Sequence, residues 1–198
     1  MDDDTLEIPI FPLGSVLFPA GVMTLRIFEQ RYVDMTKACI RDESPFGIAL
    51  IRAGFEVGQP AIPCDIGCTA RILEWEVPSP GLFNLQVRGE TRFRILSRWA
   101  EPDGLIRARV SLLEASAPQA VPPRHAPLAK LLTRLMSELG PAYFPMPGRT
   151  DDAAWVGFRL AELLPVPPER KQALLTQSDP LVVLDAVEQL LIDLRAPD

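Results

Sequence analysis

Prolines are spread along the whole chain and limit the length of every regular element that it can form. The sequence has 21 prolines among 198 residues, about twice the usual proportion. A proline inside a helix removes a hydrogen bond and clashes with the preceding turn, and inside a central strand it removes a ladder bond. We therefore expect short strands and helices joined by turns, and not one long helical bundle.

The first apolar stretch, EIPIFPLGSVLFPAGVMTLRIFEQRY at residues 7–32, is predicted to be folded structure. It follows the acidic start MDDD and is interrupted by Pro9, Pro12 and Pro19, whereas a secretory signal needs a basic start and an unbroken apolar run. No stretch approaches the ~20 apolar residues that span a bilayer. With three cysteines and a net charge of −6, the sequence favours a cytoplasmic protein with free thiols and no membrane partner.

The first half of the chain has the alternation of β-strands. In VMTLRIF, Met23, Leu25 and Ile27 alternate with Thr24 and Arg26, which is the period of a half-buried strand. Six closely spaced strands with one inserted helix predict a closed or half-closed barrel over residues 1–116. The predicted strands cover 22–28, 46–52, 68–77, 82–88, 91–99 and 105–115, the helix covers 29–41, PSPG forms a hairpin turn after 77, and Gly89 interrupts the strand pattern.

Helical spacing replaces the strand pattern over residues 117–198, which we predict to be a helical subdomain. The proline-rich SAPQAVPPRHAP at residues 116–127 is predicted to be a linker. A leucine stripe from Leu128 to Leu139 follows and ends at a Gly-Pro pair. The later helices are predicted over 153–164 with Thr150 as the cap, over 167–175, and after the cap Asp179 with Pro180 at its first position, burying Leu184, Val187, Leu191 and Leu194.

No arrangement of catalytic or metal-binding residues is visible in the sequence. It has no glycine-rich phosphate loop and no G-x-S-x-G elbow. The lone histidine, His125, lies in the predicted linker, where we expect a solvated side chain without a catalytic partner. Cys64 and Cys68 flank DIG, but a zinc site needs two more ligands. The sequence therefore predicts a protein that is not an enzyme, with no cofactor and no metal.

One segment departs from the acidic average because it holds six arginines within 22 residues. Alternate positions on adjacent strands would bring several of them to one face. Such a face could contact an anion or RNA, or it could be a solvated face with cross-strand ion pairs, which the negative net charge favours. The six are Arg88, Arg92, Arg94, Arg98, Arg107 and Arg109.

Several spaced motifs resemble the N-terminal substrate-binding domain of Lon proteases. The opening IPIFPLGSVLFPAGVMTLRIFEQRYVDM is similar to the start of that family, and FGIALI, IGCTARILE, FNLQVRGETRFRI and LLPVPPERKQALL follow in the family's order. Ala20 stands where proline is common in the family. The resemblance implies an α+β fold, with a pseudo-β-barrel similar to the PUA type followed by a helical subdomain.

The resemblance implies binding and not proteolysis, because the ATPase and serine–lysine peptidase motifs of full Lon proteases are not found in this sequence. The leading hypothesis is a module that binds unfolded or flexible polypeptide, or a partner protein, through an apolar surface on the barrel or where it meets the helices. The alternative is an RNA-binding or ribonucleoprotein-associated protein, by analogy with PUA-like folds.

Six residues are candidates for contact with a partner. The polar motif residues Glu29, Arg31 and Arg92 either anchor the helix to the barrel by charge-assisted hydrogen bonds or line a ligand groove. Tyr32 is expected to pack its ring inward and keep its hydroxyl at the rim. The full set of partner-binding candidates is Glu29, Arg31, Tyr32, Arg88, Arg92 and Arg94.

Overall fold

The computed structural model describes residues 5–59, 61–141, 143–144 and 148–194. The chain forms two compact units with the boundary between Glu114 and Ala115. In the described residues, the first unit contains the sheet and one α-helix, and the second contains four α-helices and a short 3₁₀ helix.

Five strands of the first unit form a closed ring. The strands are β1 Thr5–Leu13, β2 Val22–Ile27, β3 Phe46–Ala53, β4 Ile62–Pro63, β5 Ile66–Ser79, β6 Leu82–Ala100 and β7 Ile106–Leu112, and helix α1, Gln30–Arg41, follows β2. Neighbouring strands follow the order β1, β7, β6, β5 and β3, and a parallel pairing of β1 with β3 closes the ring, while all the other pairings are antiparallel. The short β4 pairs with the end of β3, and β2 pairs with the first half of β6. The predicted α+β fold with a pseudo-barrel and a helical subdomain is confirmed.

The barrel is filled by small and large side chains that complement one another. Phe93 is fully buried in a cluster with residues of β1, β3 and β7. Its ring occupies the space that two glycines leave, since a Cβ on Gly67 would lie 2.6 Å from the ring and one on Gly47 would lie 2.8 Å from it. Glycine opposite a bulky aromatic is thus a packing requirement at these two positions. The cluster comprises Ile8, Ile10, Ala49, Phe93, Ile106, Ala108 and Val110.

Helix α1 covers a second apolar cluster. Its Tyr32, Met35 and Cys39 are buried in a cluster with strand residues such as Leu25 and Leu85, at the spacing that places them on one face of the helix. The structure therefore confirms the predicted amphipathic helix within a residue of its predicted start.

Gly89 does not end a strand as the sequence suggested, since Leu82–Ala100 is one strand of 19 residues. The residue is glycine because another segment approaches it closely. A Cβ at Gly89 would lie 2.2 Å from the Phe18 carbonyl oxygen. The amide of Ala20 donates to the Gly89 carbonyl and the amide of Gly89 donates to the Gly21 carbonyl, both at 2.8 Å. The segment after β1 thus docks on the middle of β6.

The second unit has four helices whose bounds follow the predicted signals closely. The prediction for Asp179 is confirmed, since its side chain accepts a hydrogen bond from the Leu181 amide. Thr150 was predicted as a cap, but the cap is Asp152, whose Oδ1 accepts from the Trp155 amide at 2.8 Å. Leu194 is exposed, contrary to prediction, because the last helix ends before it. The helices are α2 Ala126–Leu139, α3 Ala153–Leu163, α4 Pro168–Thr176 and α5 Pro180–Asp193.

The segment predicted as a linker is part of this helical unit. His125 ends a 3₁₀ turn and is fully buried, with Nε2 2.9 Å from Oδ1 of Asp185 on α5. The Val121 amide donates to the Asp151 carbonyl, and the Ala153 amide donates to the Gln119 carbonyl. The expectation of a solvated histidine was therefore wrong, because its carboxylate partner lies about 60 residues away in sequence and local composition does not reveal it.

Candidate functional site

The outer part of β5 is an open strand edge. Cys68 and Ala70 of β5 pair with β3 on one side and with β6 on the other, and Thr69 between them pairs with β3. Beyond Ala70 the pairing with β6 continues to Ser79, while no described residue pairs with β5 on its other side. An edge strand directs unpaired N–H and C=O groups outward, and these can form a ladder with another extended chain.

Apolar side chains alternate with acids along this open edge. Leu73, Trp75 and Val77 are 36%, 51% and 52% exposed. They alternate with Glu74 and Glu76, which are also exposed. Large apolar side chains beside unpaired backbone groups are unfavourable in water, which makes the segment a candidate binding surface. We call residues 71–79 of β5, with these five side chains, the open edge.

The open edge is fixed to the rest of the barrel at its base and along its length. The Nε of Arg71 lies 2.6 Å from Glu90 Oε1, and its Nη1 donates to the Glu43 carbonyl at 3.1 Å. Trp75 lies directly opposite Leu85 of β6, which is buried in the second apolar cluster. The edge is thus one side of a hairpin that rests on the core, and a partner would meet a formed strand.

Three other exposed apolar side chains lie near the start of α1 but do not form a comparable site. Phe28 follows β2, and Phe55 and Val57 lie in the loop after β3. The Gly58 amide in that loop lies 3.4 Å from Glu29 Oε2. These three side chains lie outside the strands, so they are not themselves part of a strand edge.

Glu29, Arg31 and Tyr32 lie together where α1 begins. Arg31 is 6% exposed, its Nη2 lies 2.9 Å from Glu29 Oε2, and its Nη1 donates to the Gly104 carbonyl at 3.1 Å. Its guanidinium also stacks over the Tyr32 ring, 4.7 Å from the ring centroid. The hydrogen bond to Gly104 joins α1 to the turn between β6 and β7, and the ion pair with Glu29 holds the Arg31 guanidinium in place for it.

Tyr32 completes this cluster on its apolar side. Its ring packs edge-on against Phe11 of β1, with the centroids 4.5 Å apart. Burial raises the pKa of Tyr32, against a smaller opposite effect of the neighbouring Arg31 charge. A buried, protonated tyrosine contributes packing, and any contact of this cluster with a partner stays a prediction.

The arginines that the sequence placed together lie in different environments. Arg92 is buried, and burial lowers its pKa, whereas Arg94 is exposed. Arg88 is half-buried and pairs directly with Arg71 across β5 and β6. Arg98 and Arg107 each lie 4.0 Å from an acid, Asp65 and Glu101 respectively. This placement favours a face interspersed with acids over a continuous basic patch, and RNA binding stays an untested hypothesis.

Within the described ranges, no three histidine, cysteine, aspartate or glutamate side chains come together as a metal-binding group. Cys39 and Cys68 are buried and Cys64 is half-buried. Burial raises the pKa of the Cys39 thiol, which lowers its reactivity as a nucleophile. None of the helices in the described part is long and apolar enough to cross a membrane.

The sequence and fold of this chain match Lon proteins. Residues 7–193 match the family model described as the ATP-dependent protease La (LON) substrate-binding domain. A solved Lon N-terminal domain protein from Xanthomonas campestris is 36% identical with a TM-score of 0.76, over 94% of this chain and 98% of that one. The N-terminal domain of Mycobacterium avium complex Lon protease shares the fold, with a TM-score of 0.68 at 16% identity over 95% of this chain and 99% of that one.

Two curated relatives are much longer than this chain. Lon protease 2 of Myxococcus xanthus is 29% identical over 198 residues, which cover 96% of this chain and 24% of that protein. The Lon protease of Anaeromyxobacter dehalogenans (strain 2CP-C) is 28% identical over 182 residues, which cover 88% of this chain and 22% of that protein. The chain thus spans about a quarter of the length of these relatives. The family resemblance seen in the motifs is confirmed, and the chain belongs to the LON substrate-binding domain family.

Proposed function

We propose that this protein binds extended segments of unfolded polypeptide at the open edge, and that it catalyses no reaction itself. The observation that carries the proposal is the unpaired strand edge beside Leu73, Trp75 and Val77. An extended peptide can add a strand to such an edge, because its main chain supplies the missing ladder and its alternate side chains cover the apolar ones. The family description as a substrate-binding domain supports this mode of action.

The expected affinity is modest. Fully burying a large apolar side chain contributes ~1.5–3 kcal/mol, and the three on the open edge are already about half-covered. Each ladder hydrogen bond adds about 1 kcal/mol net. Association and the ordering of a flexible peptide offset much of this gain, so we expect a Kd of about 0.1 mM for a short peptide.

The absence of catalysis is the second part of the proposal. The match to relatives lies in the part of Lon proteases that the family model describes as substrate-binding. Cys39 is a buried thiol with a raised pKa, and His125 is fully buried, so neither of these two residues is an exposed nucleophile or base. A cytoplasmic location stays a prediction of the sequence.

The direct test uses an uncharged extended peptide. A fluorescent peptide with the core Val-Thr-Val-Thr-Val is titrated with the protein, and binding is followed by anisotropy. The variant Leu73→Thr/Trp75→Thr/Val77→Thr keeps strand-forming residues and should weaken binding about tenfold or more.

A matched control separates the site from general stickiness. Leu6, Leu96 and Leu112 are also exposed on strands, so the variant Leu6→Thr/Leu96→Thr/Leu112→Thr removes similar apolar surface elsewhere and should bind the peptide as the unmodified protein does. Two peptides methylated on one or the other set of alternate amides provide a further check. Only one of them should lose binding, because only alternate amides face the open edge. Equal loss in both triple variants, or no binding at all, would reject the proposal.

A further inference from the structure

The open edge carries a charge pattern that its apolar residues do not explain. Glu74 and Glu76 are two residues apart and flank Trp75, so their side chains lie on the face opposite to the Trp75 ring. On β6 they stand opposite Gln86 and Asn84, which are neutral. Neither glutamate forms an ion pair with a described residue.

The nearest cations do not neutralise this pair. Arg71 on the same strand is engaged by Glu90 at 2.6 Å. Arg88 lies opposite Arg71, diagonal to Glu74. Arg26 is paired with Asn84 on the far side of β6, two strands from Glu76, which is roughly 10 Å. The outward side of the two glutamates is therefore left for the charges of an added strand.

A second copy of this chain is a poor occupant of the edge. If two open edges paired antiparallel about Trp75, Glu74 of one copy would stand opposite Glu76 of the other, and the reverse. Like charges directly opposite each other destabilise a strand pair, and acidic side chains on an edge oppose pairing between identical edges. The net charge of −6 adds to this repulsion. The glutamates therefore exclude self-pairing while they leave the ladder available to a chain of opposite charge.

We propose that the open edge selects extended polypeptide segments in which apolar residues alternate with lysine or arginine. The inference rests on the proposed function and names the substrate class of that same site. β5 is regular from Glu74 to Glu76, with a register shift in its pairing with β6 on either side. The central residue of a bound five-residue segment would therefore stand opposite Trp75, with its outer apolar residues near Leu73 and Val77. Its second and fourth residues would stand opposite the two glutamates, where a cation is favourable and an anion is not.

The test compares three peptides that differ only at the two alternate positions. Their cores are Val-Lys-Val-Lys-Val, Val-Thr-Val-Thr-Val and Val-Glu-Val-Glu-Val. We expect the lysine peptide to bind about 3- to 10-fold tighter than the threonine peptide and the glutamate peptide to bind weaker by a similar factor. The spread should shrink at about 0.5 M salt, since the charges are exposed.

Variants of the two glutamates assign the preference to the site. The variant Glu74→Lys/Glu76→Lys should bind the glutamate peptide more tightly than the lysine peptide. The variant Glu74→Gln/Glu76→Gln should bind the peptides with equal affinity while it leaves the fold undisturbed. The control Glu114→Lys/Asp193→Lys makes the same change in net charge as Glu74→Lys/Glu76→Lys, from −6 to −2, at exposed positions that do not belong to β5. It should keep the lysine peptide as the tightest ligand.

The outcomes separate this inference from the function on which it rests. If the three peptides bind equally, the charge selection is wrong and strand addition stands. If none of them binds, the proposed function fails as well. If the control shifts the preference as much as the two glutamate variants do, net charge and not the open edge selects the peptide, and the inference is overturned.

Discussion

Replacing Gly67 by alanine tests how tightly the barrel is filled. A Cβ at this position would lie 2.4 Å from the Ile48 carbonyl oxygen and 2.6 Å from a Phe93 ring carbon. The carbonyl belongs to the backbone of the neighbouring strand, so the clash cannot be relieved by a rotamer change. Overpacking of this kind costs 1–3 kcal/mol and occasionally more, and we expect about 3 kcal/mol for Gly67→Ala.

Gly47→Ala is the matched comparison, because its added Cβ would meet only the Phe93 ring and the end of the Ile10 side chain, at 2.7 Å or more. Side-chain ends move more easily than backbone, so we expect a loss of about 1–2 kcal/mol. Phe93→Leu is itself destabilising because the ring is fully buried, so each glycine variant is also made in the Phe93→Leu background. There Gly47→Ala should lose much of its cost and Gly67→Ala little of it, since the carbonyl contact remains. The two double variants thus measure which contact dominates.

The assay is urea unfolding followed by both far-UV circular dichroism and tryptophan fluorescence, because a chain with two compact units can unfold in two steps. Both glycines belong to the first unit, so we compare the free energy of the unfolding transition that these substitutions shift. A loss of less than about 0.5 kcal/mol in the free energy of unfolding of Gly67→Ala would refute the packing argument. So would a larger loss in Gly47→Ala than in Gly67→Ala.

Two further predictions concern a helix cap and a buried phenol. Asp152→Ala should destabilise the helical unit by about 1–2 kcal/mol, because the Trp155 amide loses its acceptor. The control Thr150→Ala should change the free energy of unfolding by less than about 0.5 kcal/mol. Equal effects of the two substitutions in urea unfolding would contradict the assignment of the cap. The folded-state pKa of Tyr32 is raised from 10.0, so above that pH the unfolded chain loses this proton first and stability falls as the pH rises. Tyr32→Phe should flatten the alkaline decline in urea midpoints, and an unchanged slope would show that another group causes it.

Local patterns in the sequence were sufficient for the elements that neighbouring residues specify. Alternation in VMTLRIF and helical spacing after Glu29 led to β2 and α1, and the Asp179 cap with Pro180 was read from adjacent residues. These features depend on backbone geometry and side-chain period within one segment, which the sequence displays directly.

The features that were missed depend on segments far apart in the chain. Gly89 indicates a break in a strand when only its own segment is considered, because the close approach of the Phe18 carbonyl is not visible there. His125 likewise suggests a solvated linker, because its contact with Asp185 is not visible in the neighbouring residues. The exposure of Trp75 was not predictable either, since an apolar alternation normally marks a buried face and the end of the β3 pairing at Ala70 decides otherwise. Sequence period reports which residues share a face, but not whether that face is covered.

The ring closure of the barrel has a consequence during synthesis. The first strand pairs with the last one, as Ile10 with Ile106, so the ends of the barrel meet across about 100 residues of chain. A ribosome that adds ~5–20 residues per second needs roughly 5–20 s to supply β7 after β1 has emerged. For that interval the apolar Ile8 and Ile10 have no β7 to cover them, and Pro9 and Pro12, which have no N–H to donate to a ladder, oppose pairing of β1 with a neighbouring chain.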